Sequence, residues 1–157
     1  MKRLIASLAA LGAVFVTALP VSAGAPSIPV TTTFTDTSAT TTDFHQDGSS
    51  GSVTVTQHVT VVYVGDLSGN VTEVITLVLR ADGTGNVHGV DTCRCRLGSH
   101  VGTIQLPFDG TISPGDTFQG HFVLQGGTGG LAGLHGEGTF HGAANSGSFS
   151  GLFHFEP

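Results

Sequence analysis

Apolar and polar residues change places at every second position over long stretches of this chain. No 3.6-residue apolar period replaces that alternation anywhere after Ala23. Val53, Val55, Val59, Val61 and Tyr63 alternate with Thr54, Thr56, His58 and Thr60. Val71, Glu73, Ile75, Leu77 and Leu79 alternate with Thr72, Thr76 and Arg80. Successive side chains of a strand point to opposite faces, so each run makes a ribbon with one apolar side. Gly65 to Gly69 and Ala81 to Gly85 turn the chain between and after them. Val87 to Arg96, His100 to Phe108, a segment with Phe118, Phe122 and Leu124 on one face, Leu134 to His141 and Gly147 to Phe155 continue the series. With a first strand near Val30 to Phe34, the spacing predicts eight short strands in one all-β domain, a small closed antiparallel barrel. The polar stretch from Asp36 to Ser50 reads as the longest irregular segment, placed at the barrel mouth.

The last hairpin carries its own register. Pairing His141 with Ser148 sets Phe140 opposite Phe149, Gly138 opposite Gly151, Gly136 opposite Phe153 and Leu134 opposite Phe155. Every large apolar side chain then falls on one face, whereas a one-residue slip would mix the faces. The inner glycines either let a closed sheet bend or leave room for a ligand.

The chain's start reads as processing. Lys2 and Arg3, an apolar run from Leu4 to Leu19 and Pro20-Val21-Ser22-Ala23 form the basic, apolar and small-residue regions of a cleavable secretion signal. The run is short of the ~20 residues that cross a bilayer. The expected organisation is a signal over residues 1–23 and a barrel domain over 24–157, secreted and free of the membrane after cleavage. Without Lys2 and Arg3, three basic residues face eleven acidic ones, a net charge of −8. Nucleic acid needs clustered basic residues, so it is excluded as a partner.

Three segments carry a resemblance: Gly65-Asp66-Leu67-Ser68-Gly69, Leu97-Gly98-Ser99-His100-Val101-Gly102, and above all Gly127-Thr128-Gly129-Gly130-Leu131-Ala132-Gly133-Leu134-His135-Gly136-Glu137-Gly138. The chain resembles a bacterial domain-of-unknown-function family whose members are similar to the allene oxide cyclase-like barrels. It is more distantly similar to the glycine-rich stretch of plant dirigent proteins. The resemblance implies an eight-stranded calycin-like barrel, often a homo-oligomer, with a cavity for an apolar small molecule. No cyclase active-site motif is present to carry over.

Two constellations could carry chemistry. Pairing Leu79 with Val87 across the Gly83 turn sets Glu73 opposite Cys93 and Asp91 opposite Ile75, on the apolar face with Tyr63 and Gln57 alongside. A carboxyl there has a raised pKa, suited to proton transfer. On the outer face, His135 lies opposite His154 with Glu137 beside them and His121 on the preceding strand, a donor set for Zn²⁺ or Cu²⁺. The ordinary alternative is a polar outer face that uses histidine for lysine.

Cys93 and Cys95 stand two apart on a strand, ~6.6 Å between Cα atoms, too far for a relaxed disulfide. Free buried thiols, a strained redox-active disulfide and a Cu(I)-type pair flanked by His88 and His100 stay open. Free or bulge-linked structural cysteines are the expected case. Gly126 to Gly130 lacks the Lys-Ser/Thr of a phosphate loop.

The leading expectation is a secreted barrel that binds a small apolar molecule, with Phe118, Phe122, Phe140, Phe149 and Phe153 lining it and no cofactor required. The alternatives are a cofactor-free cyclase or isomerase using Glu73 with Tyr63 and Asp91, and a structural, self-associating protein whose lumen is filled by phenylalanine.

Overall fold

A computed structural model describes residues 26–156; the expected secretion signal lies outside the described residues. Eight antiparallel strands close on themselves: β1 (Ile28–Gln46), β2 (Val53–Gly65), β3 (Leu67–Leu79), β4 (Gly85–Leu97), β5 (His100–Ser113), β6 (Thr117–Gln125), β7 (Leu134–Ala143) and β8 (Ser146–Phe155). Each pairs with its sequence neighbour, and β8 returns to β1. The expected register of the β7–β8 hairpin holds from Leu134↔Phe155 to His141↔Ser148.

The stretch from Asp36 corrects the expectation of an irregular segment. β1 continues through it to Gln46, leaving β8 at Thr35↔Ser146 and running on beside β2 alone. Both faces of this extension are largely solvated, so it shows no apolar alternation. Its threonines nevertheless favour extended backbone. The register slips at Asp36/Ser38 and at Thr41/Asp43. The skipped residues are Thr37 and Thr42, and their hydroxyls donate to the carbonyls of Thr60 (3.0 Å) and Thr56 (3.3 Å) on β2. Each slip is a β-bulge, which bends the strand. The extension forms a lip on one end of the barrel.

The opposite end is plugged. Leu67, Ile104, Leu124, Leu131, Leu134 and Phe153 are all almost fully buried there. Burying each stabilises the fold by roughly 1.5–3 kcal/mol. Leu131 arrives through a 3-10 turn, Gly129–Leu131, inside the glycine-rich segment between β6 and β7. The Thr128 amide pins that segment to the Thr103 carbonyl at 2.8 Å.

Between plug and lip, phenylalanine rings reach over glycines of the neighbouring strand. A Cβ built on Gly89, Gly120, Gly138, Gly142 or Gly147 would come within 2.7 Å of Phe108, Phe140, Phe122, Phe118 or Phe34 respectively. The inner glycines therefore make room for rings against the wall. The lumen is kept clear as a result.

Cys93 and Cys95 are joined, which rules out the free thiols of the expectation and leaves the linked pair, without the bulge foreseen for it. Their Cα atoms are 5.3 Å apart, and both ladders of β4 run past them without a slip in register. Gly69 and Gly102 flank Cys95 on either side. A side chain at Gly69 would collide with the β4 backbone, so glycine admits the pinched segment at close range.

The ring-on-glycine packing yields a coupling test. Gly89→Ala should cost about 1–3 kcal/mol by overpacking against Phe108. In a Phe108→Leu background the cost should shrink, read from urea midpoints in a double-mutant cycle. Additive costs would contradict the packing described.

Candidate active site in the open lumen

The unplugged half of the barrel is a cavity of about 370 Å³ that opens under the β1–β2 lip. Its walls are apolar: Phe34, Phe108, Phe118, Phe122, Phe140 and Phe149 line it with Val59, Val61, Ile75, Leu77, Val87 and Leu106. Four of the five expected ring residues are here. Phe153 is the correction, because its ring packs edge-on against Phe122 at 6.1 Å inside the plug. Phe34 and Phe108 were missed, although they share inward parity with Thr32 and Leu106.

Consecutive strands bring a polar cluster to one wall. Asp36 comes from β1, Gln57 and Tyr63 from β2, Glu73 from β3 and Asp91 from β4. The pairing differs from expectation: Glu73 lies directly opposite Asp91, and Val71 opposite Cys93. The turn is tighter than foreseen, because Asp82 Oδ1 accepts from the Thr84 amide (2.9 Å) and hydroxyl (2.7 Å). The Arg80 amide closes the loop on the Thr84 carbonyl at 2.8 Å. Leu79 therefore meets Gly85 rather than Val87. A slip of two preserves the face, so both carboxyls still point inward and now confront each other.

Tyr63 donates a hydrogen bond to Asp91 Oδ2. Asp91 is 5% exposed, and its Oδ1 has no hydrogen-bond partner. Thr32, the other buried polar residue among those described, is by contrast fully engaged, donating to the Leu67 carbonyl and accepting from its amide, both at 3.1 Å. Burial first, and then the charge of Asp91, push Glu73 up to about 9. Burial also raises Asp91, to about 6, against the lowering effect of Tyr63 and Glu73 beside it. Asp36 is raised by burial as well. Two facing carboxyls in such a site share one proton across neutral pH, with Glu73 as the acid and Asp91 as the carboxylate. That makes an acid and a base on one wall of an apolar chamber. Asp36 escaped the sequence reading because it lies where the apolar alternation of β1 stops.

The outer histidine constellation is not assembled. His135 and His154 stack at 5.9 Å, but the carboxylate beside them is Glu156, at 3.4 and 3.7 Å. Glu137 is exposed on the outer face opposite Leu152. His121 pairs with Thr139, four residues along β7 from His135, and meets Asp109 at 3.3 Å. Parity was right but height along the barrel was not. Among the described residues, no group of three or more His, Cys, Asp or Glu could hold a metal ion.

Residues 30–153 match a family described as "Protein of unknown function (DUF3224)". No curated protein matches the chain. The crystal structure of a protein with unknown function from the DUF3224 family of Shewanella oneidensis MR-1 is similar, with a TM-score of 0.71 at 19% identity. The likeness covers 84% of this chain and 99% of that one. At that identity it speaks for the fold.

The carboxyl pair sets a pH dependence. Glu73 and Asp91 ionise at higher pH in the folded chain than their ordinary 4.5 and 3.8. Their contribution to stability is full below those ordinary values and is lost as pH rises through about 6 and toward about 9. Asp47 and Asp82, lowered by their own turn hydrogen bonds, act only below this window. Unfolding free energy should therefore fall from pH 5 to pH 9, and Glu73→Gln should flatten that fall and overtake wild type at pH 9. A wild type equally stable across the window would contradict the assignment.

Proposed function

The chain belongs to the DUF3224 family, and from its own site we propose that it holds a small apolar molecule in the barrel lumen. The observation that carries this reading is the cavity of about 370 Å³, walled by aromatic and aliphatic side chains and open at one end. Ligand sites are concave, mostly apolar and furnished with a few convergent polar groups. Here those groups are Tyr63, Glu73 and Asp91. A lumen filled by its own phenylalanines, the structural reading, is disfavoured by the space that remains.

A second reading draws on the carboxyl pair. A protonated Glu73 beside an ionised Asp91 supplies both partners of a proton transfer, with Tyr63 orienting Asp91. That suits cofactor-free cyclisation or isomerisation of a bound apolar substrate. A relationship to the allene oxide cyclase-like barrels belongs to this proposal and is in keeping with a closed eight-stranded barrel. Secretion is also part of it, supported by the basic, apolar and small-residue pattern of residues 1–23.

Titration with N-phenyl-1-naphthylamine, a neutral fluorophore that brightens in apolar surroundings, tests the first reading. Wild type should enhance its fluorescence saturably, and Ile75→Trp, which fills the lumen, should weaken binding at least tenfold while circular dichroism stays unchanged. No saturable binding to wild type would defeat the reading. Under the second reading, Glu73→Gln keeps fluorophore binding but loses turnover.

A further inference from the structure

Resting on the lumen reading above, we propose that the molecule held there is apolar with one protonated amine, its ammonium group docked against Asp91 and Glu73 with Asp36 behind them. The cavity is lopsided in charge. Carboxyls reach it from β1, β3 and β4, and Asp116 adds another from the turn before β6. Among the described residues, no lysine, arginine or histidine lines it. Arg80, Arg94 and Arg96 are all exposed away from the lumen. No fixed positive charge among the described residues therefore balances the carboxyls of that wall.

Asp91 Oδ1 is the second observation. It is buried, it belongs to a side chain lining the cavity, and it lacks a hydrogen-bond donor. An orphaned buried acceptor costs free energy until something donates to it. A neutral hydrocarbon or an ether in the lumen brings it no donor. A carboxylate, as in a fatty acid, would add a like charge to the cluster at short range in a poorly solvated space. An ammonium group brings three donors and the missing positive charge. The ring faces that line the remaining wall attract the same cation. When the cavity is empty of ligand, the proton held between Glu73 and Asp91 does part of this work, and the incoming ammonium takes its place. Titratable groups facing the docked nitrogen are Asp36, Tyr63, Glu73 and Asp91, with Asp116 at the rim.

A matched series of ten-carbon probes decides it, each competing with N-phenyl-1-naphthylamine at pH 7: decylamine, decanol and decanoate. Decylamine should displace the fluorophore at least tenfold more effectively than decanol, and decanoate should be weakest. Asp91→Asn, shown folded by circular dichroism, should narrow the amine-to-alcohol ratio to threefold or less. Should that variant not fold, Glu73→Gln must narrow the ratio instead. Ile75→Trp must abolish decylamine binding read directly by titration calorimetry, because persistence would put the amine on the acidic exterior and overturn the proposal. Decanol or decanoate matching decylamine on wild type would overturn it too, while leaving an apolar lumen intact. Failure of the fluorophore itself to bind wild type would instead defeat the lumen reading beneath.

Discussion

The contact between a phenylalanine ring and a bare glycine on the next strand sets the interior of this barrel. A small closed barrel ordinarily fills with its own side chains. Here five glycines let five rings lie close against the wall, so bulky residues cover the inner surface without filling it. Edge-on contacts such as Phe108 with Phe140 at 5.6 Å, and Phe122 with Phe149 at 5.4 Å, tie those rings to one another. The rigid aromatic lining that follows is what leaves about 370 Å³ unfilled. Plug and lip complete the chamber, one closing the far end with leucines, the other extending the near end with threonines.

An open chamber without a cationic side chain among its described lining residues changes the chemistry of three acids that face it. Asp36, Glu73 and Asp91 would be ordinary carboxylates on the outside of the same strands. Inside they are deprived of water and set against one another, and each is raised. The exposed turn carboxyl of Asp47 shows the opposite behaviour, lowered to about 2 by the amides and hydroxyls of Ser49 and Ser50. Geometry also divides labour between the oxygens of Asp91. Tyr63 steadies one of them, and the other is left for whatever donor arrives, a proton on Glu73 or a group on a ligand.

Much of this was legible in the sequence because side-chain parity survives errors of register. The inward set Phe118, Phe122, Phe140 and Phe149 followed from alternation alone, and the β7–β8 pairing followed from demanding that all large apolar residues share a face. Glu73 and Asp91 were placed on the correct face although their partners were off by two, since the compact Asp82 turn cannot be measured from spacing. Three features were out of reach. The lip has no apolar face, so periodicity is silent there and Asp36 was lost with it. The plug depends on Leu131 folding back across the barrel end, a tertiary contact without a local signature. The histidines on the exterior share a face, but position along the axis separates His121 from the His135–His154 pair, and parity carries no information about height.

The acid–base wall of the lumen depends on whether a carboxyl facing it keeps its proton at neutral pH. Carbon-13 NMR of the side-chain carboxyls, followed from acid to alkaline pH with Glu73 and Asp91 assigned, reads that directly. The Glu73 signal should stay in its protonated position at pH 7 and move only in the alkaline range, with Asp91 titrating above the exposed acids. If both signals instead shift together with Asp47 and Asp82 in the acid range, the lumen is wet, the pair holds no proton, and the acid–base wall does not exist.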